Sequence, residues 1–335
     1  MSAAYAVRVA AALNAVAGTF HVSGRLDSAE RYYGQAVAMW RAAGGRGVDA
    51  QVAVNLNNLA AVVSGRGKFV AADSLHREAL ALRRRVFPPD HPDVAVSLDN
   101  LGTNRLRMGD VETARRYLEQ ALDIRVRAPG PRHPEVSKTL NNLASLTERA
   151  GAVDSAAVLY REALRLKRQT MGPDHPSVAV TMNNLGLLYQ GRGAYAPAES
   201  LLVQSLAIRR AALGDDHVGV ARAWNNLAVL YRETGRPARA EPLLRRALAV
   251  RLARLGADHA NVLESLLELG VTLAALDRYP EAESLLTEAY RRRRESGHPE
   301  ADSVAARLMA LYERWGKADH AARHRALLDS TARSR

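Results

Sequence analysis

The second of two adjacent amide positions recurs at Asn58, Asn100, Asn142, Asn184 and Asn226, with a constant spacing of 42 residues. A histidine keeps the same period at His91, His133, His175, His217 and His259. A fixed period in this range marks a stacked array, in which each unit is one supersecondary motif and stacking buries a continuous core. Leucines extend the register at Leu59, Leu101, Leu143, Leu185, Leu227 and Leu269, and alanines at Ala72, Ala114, Ala156, Ala198, Ala240 and Ala282. A weaker copy opens the chain with Asn14, Val16, Ala17, Gly24 and Ala29, one residue out of step. Another closes it with Leu308, Leu311, Tyr312, Gly316 and Ala321, after a three-residue deletion near His298. The register predicts one solenoid domain over residues 1–335, in eight repeats at approximately 3–46, 48–90, 91–132, 133–174, 175–216, 217–258, 259–297 and 298–331.

Inside a repeat the apolar period is helical. Met182, Leu185, Gly186 and Tyr189 fall at i, i+3, i+4 and i+7, one stripe of a first helix, here helix A. The small residue of that stripe (Ala60, Gly102, Ala144, Gly186, Ala228, Gly270) permits close approach of a second helix. Glycine then stops helix A at Gly67, Gly109, Gly151, Gly193 and Gly235. Helix B carries Ala198, Leu202, Ser205 and Leu206 on its own stripe, and ends in a loop such as Gly172-Pro173-Asp174-His175-Pro176, with proline suited to the first turn of the next helix.

This pattern resembles the tetratricopeptide repeat, whose period of 34 carries a large residue, Leu, Gly or Ala and Tyr on helix A and alanines on helix B. Trp224, Leu227, Ala228 and Tyr231 fill the first pattern, and Ala240 and Ala247 the second. The eight extra residues add about one turn to each helix. With Leu-Asn-Asn-Leu-Ala and a Gly-x-Asp-His-Pro-x-Val loop, the chain is similar to the array of kinesin light chains. The resemblance implies an all-α right-handed superhelix whose concave groove, lined by helix A, holds peptides. Fold does not dictate function, so the resemblance is specific for architecture and poor evidence for a particular role.

The residues bound that role further. With no cysteine there is no disulfide, thiol nucleophile or thiolate metal site. Val9 to Phe20 behind Arg8 has the composition of a signal-peptide core, and Ala-Val-Ala-Gly that of a cleavage site. The same residues align with helix A of the first repeat, which cleavage would destroy, so the expected location is cytoplasmic and no membrane is expected. The formal charge of +12 makes nucleic acid or an acidic partner worth weighing. Arg83, Arg125, Lys167, Arg209, Arg251 and Arg293 form a column near the end of each helix B, where cations complement the helix dipole and their stems pack along the helix seam. No aromatic platform recurs beside them, which weakens a single-stranded nucleic-acid reading.

At 100° per residue, Asn142 points away from the core stripe of its helix, accompanied by Lys138, Ser145 and Arg149. The face so defined contains Asn100 with Arg107, Lys138 and Arg149 with Asn142, Asn184, and Arg222 with Asn226, then turns acidic at Glu264 and Glu268. A primary amide donates and accepts, so an amide ladder can pair with an extended peptide backbone, and flanking cations select acidic side chains. The kinesin light chain resemblance implies the same use for Asn100, Asn142, Asn184 and Asn226. Three positions depart from the pattern: Asp99 replaces a first amide, Arg105 an aromatic or leucine, and Glu268 a second amide. The first amides Asn57, Asn141, Asn183 and Asn225 lie closer to the core and fit a packing role.

The histidines are one repeat apart, at least about a helix diameter of 10 Å, so neighbours cannot share a metal ion; capping or packing is expected of them. No catalytic constellation appears at suitable spacing, and a catalytic residue repeated five times would be odd, so no enzyme, metal or cofactor is expected. The leading expectation is a scaffold that binds an extended, acidic peptide in the groove. The alternatives are a nucleic-acid-associated regulator using the basic helix-B edge, and a self-assembly module of a larger signalling protein. Ala3 to Phe20 is almost wholly apolar, whereas terminal repeats normally present a polar outer face, so self-association through the first helix is also expected.

Overall fold

Helix A must stop where the chain turns back onto it, and a left-handed residue does this at every described turn. Gly67, Gly109, Gly151, Gly193 and Gly235 have φ between 72° and 84°, a conformation glycine adopts without a Cβ penalty. Asp277 holds the same position in the seventh repeat at φ 59°, its Oδ1 accepting from the Tyr279 hydroxyl at 2.6 Å. The N-terminal end of helix A is set by the histidine column. In each loop the histidine is the N-cap, and its Nδ1 accepts from the backbone N–H two residues on: Asp93 at 3.1 Å, Glu135 at 3.3 Å, Ser177 at 3.1 Å, Gly219 at 2.9 Å and Asn261 at 3.1 Å. Capping satisfies one of the orphan donors of the first turn.

These signals produce sixteen α-helices among the described residues of the computed structural model, which are 2–44, 46–295 and 301–333. There is no strand among the described residues. The helices pair as α1 (Ala3–Val22) with α2 (Leu26–Ala43), α3 (Asp49–Gly65) with α4 (Phe69–Val86), α5 (Pro92–Arg107) with α6 (Val111–Arg127), and α7 (Pro134–Arg149) with α8 (Val153–Met171). The series continues with α9 (Pro176–Gly191) and α10 (Tyr195–Leu213), α11 (Val218–Glu233) and α12 (Pro237–Leu255), α13 (Ala260–Ala275) and α14 (Tyr279–Glu295), and α15 (Ala301–Trp315) and α16 (Ala318–Arg333). The all-α solenoid of eight helix–turn–helix repeats is thus the observed fold class. The junction expected at 297/298, with the deletion near His298, lies outside the described residues. The chain divides into two compact units, Met1–Pro173 and Asp174–Arg335, of four helix pairs each.

Within a repeat the seam is tight. At Gly102 an added Cβ would stand 2.6 Å from Leu118 Cγ on α6, so glycine is required by close approach. Between repeats the helix-B cations act as bolts. Arg83 Nη1 donates to the Asp93 carbonyl at 2.6 Å and the Ser97 hydroxyl at 3.1 Å, both on α5. Arg251 repeats the arrangement on α13, donating to the Asn261 carbonyl and the Ser265 hydroxyl, each at 2.7 Å. Arg209 reaches the Gly219 carbonyl at 3.3 Å but meets Ala223 where the others meet a hydroxyl, and its Nη2 is buried without a partner among the described residues. Burial lowers Arg209 to about 10 and Lys167 to about 8, assisted in turn by the nearby Arg222 and Lys138.

All six cations of the column are buried. The six cations named for a nucleic-acid regulator are therefore held inside the stack, where these side chains do not meet a phosphate.

Candidate functional site

The exposed side of helix A carries four residues per helix, at i, i+4, i+7 and i+11, which is one face of an α-helix. On α5 they are Val96, Asn100, Thr103 and Arg107; on α7, Lys138, Asn142, Ser145 and Arg149. On α9 they are Val180, Asn184, Leu187 and Gly191; on α11, Arg222, Asn226, Val229 and Glu233; on α13, Glu264, Glu268, Val271 and Ala275. Within each unit, stacking the repeats turns these quartets into four rows, and the second row carries the ladder amides.

In the first unit the structure brings four expected site residues together. Asn100, Arg107, Lys138 and Asn142 line one recess of about 400 Å³, with Ser64, Thr103, Asn104 and two histidines, His21 and His76. Arg107 is exposed and has no ion pair among the described residues; its Nη1 donates to the Ser64 hydroxyl at 3.0 Å. Ser64 donates to Asn104 Oδ1 at 2.9 Å, and Asn104 Nδ2 to the Phe69 carbonyl at 2.9 Å, which ties the guanidinium to the preceding repeat. The Lys138 ammonium is 3.7 Å from Glu135, one turn away, and its side chain is half exposed. Arg149 does not line the recess: it donates to the Leu106 carbonyl at the end of α5, at 3.1 Å. Asn184, Arg222 and Asn226 belong to the second unit, where Arg222 is exposed and both amides are half-buried.

The two amide columns separate. First amides are buried and bonded across the stack: Asn57 Nδ2 donates to Ser97 at 3.0 Å, and Asn225 Nδ2 contacts Glu264 at 3.5 Å. Second amides are half-buried and also touch the preceding helix A, Asn142 at 3.4 Å to Thr103 and Asn226 at 2.8 Å to Asn183. A single amide has more donor and acceptor capacity than one such bond uses. The ladder is therefore part of the stacking and still able to bond a ligand.

The departures are accounted for by new partners. Asp99 is ion-paired with Arg125 and accepts from the Thr139 hydroxyl at 3.2 Å. Arg105 makes a two-pronged pair with buried Asp73, at 2.6 and 2.7 Å. Glu268 pairs with Arg232 at 2.9 Å.

Sequence reasoning missed His76. It stands on α4 where later repeats place Leu118, Tyr160, Leu202, Leu244 and Leu286, so the signal was a polar break in an apolar column. His76 is 3% exposed, and its Nδ1 lies 2.7 Å from Asn57 Oδ1. Burial pushes its pKa down to about 4; Asp73 opposes this and Arg107 reinforces it. The ring is neutral at pH 7, with the proton on Nδ1 donated to Asn57. The third row was named only at Ser145: it is Ala61, Thr103 and Ser145 in the first unit, but Leu187, Val229 and Val271 in the second.

No group of three or more metal-ligating side chains converges among the described residues. One described helix, α1, is long and apolar enough to cross a membrane, with Ala6, Ala10 and Ala17 as its buried residues.

A family model described as tetratricopeptide repeat matches residues 51–125, 101–169, 158–211, 198–253 and 219–295, and a second model of the same description matches residues 9–46. No curated protein matches the chain in sequence. Among solved structures, the chain is similar to a putative kinesin light chain of Podosopora anserina with nearly identical TPR-like repeats: 26% identity, TM-score 0.52, covering 62% of this chain and 98% of that one. BtubC (BKLC) from P. vanneervenii aligns at 23% identity and TM-score 0.58, covering 69% of this chain and 92% of that one. The signal transduction ATPase PH0952 from Pyrococcus horikoshii, which has a tetratricopeptide repeat sensor, aligns at 14% identity and TM-score 0.65, over 97% of this chain and 49% of that one.

Proposed function

The chain belongs to the tetratricopeptide-repeat family, and from that premise we propose that it works in the cytoplasm as a non-catalytic protein–protein interaction scaffold whose ligand is an extended, acidic peptide segment. The observation that carries the reading is the recess of the first unit. There two cations, Arg107 and Lys138, stand beside two ladder amides, Asn100 and Asn142. The amides bond the backbone of the segment, and the cations take a carboxylate.

Panning a phage-displayed random dodecamer library on the full chain tests it. Selected peptides should be rich in Asp and Glu, and Arg107→Glu with Lys138→Glu should weaken a selected peptide at least tenfold without changing helix content. Selection with no acidic bias, or affinity indifferent to the charge reversal, would refute the acidic ligand. Asn142→Ala with Asn184→Ala separates recognition from stacking: weaker binding at an unchanged melting temperature assigns the amides to the ligand.

One observation favours a second reading, self-association through α1. Its outer face leaves Tyr5, Val16 and Val22 exposed at 52%, 41% and 83%. Light scattering should then report a species larger than one chain, reverting to a monomer when all three become serine.

A further inference from the structure

The buried cations of the stack are not all neutralised alike. Arg125 meets three side chains: Asp99, Thr139 and, from its Nη2 at 3.0 Å, the Glu135 carboxylate. Lys138, 3.7 Å from Glu135, adds a second positive charge, so two cations face two acids. Two repeats on, Arg209 replaces Arg125 and Arg222 replaces Lys138, but Asn183, Gly219 and Ala223 stand at the positions of Asp99, Glu135 and Thr139. Both cations are kept and both carboxylates are gone. Arg209 is nonetheless only 5% exposed. Its Nε lies 3.4 Å from the Ser205 hydroxyl, and its Nη1 donates to the Gly219 carbonyl in the first turn of α11. Its Nη2, the atom with which Arg125 holds Glu135, is buried without a partner among the described residues. Arg222, one turn beyond Gly219, is exposed, has no hydrogen bond or ion pair among the described residues, and adds its charge to the burial that acts on Arg209. Glu264, at the Arg222 position of the next repeat, is taken by Arg251 at 3.1 Å. The first turn of α11 holds no acid, whereas that of α7 holds Glu135, so the positive end of the α11 dipole adds to the same field.

We propose that the seam between α10 and α11 binds a tetrahedral oxyanion of the phosphate or sulfate class, held between Arg209 Nη2 and the Arg222 guanidinium. A buried charge is stable in a fold only where something pairs with it, and a buried donor only where something accepts from it. Two negative charges on one small group stand in for the two carboxylates that Asp99 and Glu135 supply to Arg125 and Lys138. Guanidinium N–H groups match the oxygens of such an anion, and a helix N-terminus favours the same ligand. Chloride carries half the charge and offers one acceptor atom rather than several. The site goes beyond the scaffold reading: its ligand is a counter-ion of the stack, bound at the seam of two helices rather than along the amide ladder.

Isothermal titration calorimetry of the full chain with inorganic phosphate tests it, at about pH 8, where a phosphate is dianionic, and at an ionic strength held constant with chloride. Wild type should bind phosphate at a single site, and phosphate should raise its melting temperature above that in chloride. Asn183→Asp returns to Arg209 the acid that Asp99 gives Arg125, and should weaken phosphate at least tenfold. Arg222→Ala, at an exposed position that the packing does not use, should do the same with helix content unchanged. Arg107→Glu with Lys138→Glu should leave phosphate binding as it is, so this site and the acidic-peptide recess succeed or fail separately. N-acetylphosphoserine amide distinguishes the source of the anion. Binding no tighter than inorganic phosphate supports a free ion, and binding at least tenfold tighter supports a phosphate carried on a larger molecule. Phosphate no better than chloride, or phosphate binding that survives both Asn183→Asp and Arg222→Ala, would assign the effect to the chain's general positive charge and overturn the proposal.

Discussion

The pair Asp99 and Arg125 offers a quantitative test of how this array is bolted together. Each side chain is 1% exposed, and Arg125 also donates to the Glu135 carboxylate at 3.0 Å. Four other repeats place an amide at the Asp99 position (Asn57, Asn141, Asn183 and Asn225) and retain the cation of helix B. A buried ion pair is weak net stabilisation, since desolvation offsets attraction, but removing one partner strands a buried charge at a cost of about 3–5 kcal/mol. Arg125→Met should therefore destabilise by that amount, whereas Asp99→Asn, which restores the residue of the other repeats, should change stability by about 1 kcal/mol or less. The double variant should recover at least about 2 kcal/mol of the loss, because an amide has no charge to strand. Urea unfolding followed by circular dichroism measures the cycle, with hydrogen exchange in α5 and α7 as a local readout, because repeat arrays need not unfold as one. A pH arm sharpens it. Burial holds the Asp99 carboxyl above its ordinary value, against the opposing pull of Arg125. The folded state thus binds the proton more readily than the unfolded one, so the deficit of Arg125→Met should shrink as pH falls and grow as pH rises. Single-variant effects that add to within about 0.5 kcal/mol would refute the coupling on which this reasoning depends.

Three further outcomes follow from the same comparison among repeats. Ala223→Ser gives Arg209 the hydroxyl that Ser97 and Ser265 offer its counterparts, and should raise stability by about 1 kcal/mol; a lowered urea midpoint would show that the site has no room for it. His76, held at about 4 in the fold, is neutral in both states above its unfolded value of about 6.5, and as pH falls the unfolded chain takes up the proton first. Wild type should accordingly lose about 3 kcal/mol between pH 7 and pH 4 that His76→Gln does not lose, and parallel pH profiles for the two proteins would count against it. Gly102→Ala should cost about 1–3 kcal/mol by overpacking. Gly186→Ala, whose Cβ would stand 3.0 Å from Leu202 Cγ rather than 2.6 Å from its leucine, should cost less; equal melting temperatures would contradict that ranking.

What the sequence reveals about this chain depends on whether a contact is made once or in every repeat. The histidine caps, the glycine turns and the helix-B cations each make one kind of bond repeatedly, so their period discloses them and their chemistry suggests their role. The hydroxyl column that receives those cations, Ser97, Thr139 and Ser265, keeps the same period but is harder to recognise, because serine and threonine on a helix have many local uses. The binding face obeys the opposite logic. A face that was identical in every repeat would slide along its ligand by one helix at no cost, so a unique register needs rows that vary. Variation is what periodicity discards: the register puts Leu187 on the outward face one period after Ser145, but its residue type is that of the core leucines Leu185 and Leu188 beside it, so type alone does not single it out. His76 is likewise visible only as an exception, and its meaning comes from Asn57 across the seam. The 42-residue period therefore separates this molecule into two kinds of information. Columns that hold their residue from helix to helix build the stack, while the rows where Arg107 becomes Glu233 and Ser145 becomes Leu187 are where selectivity for a partner has to be sought.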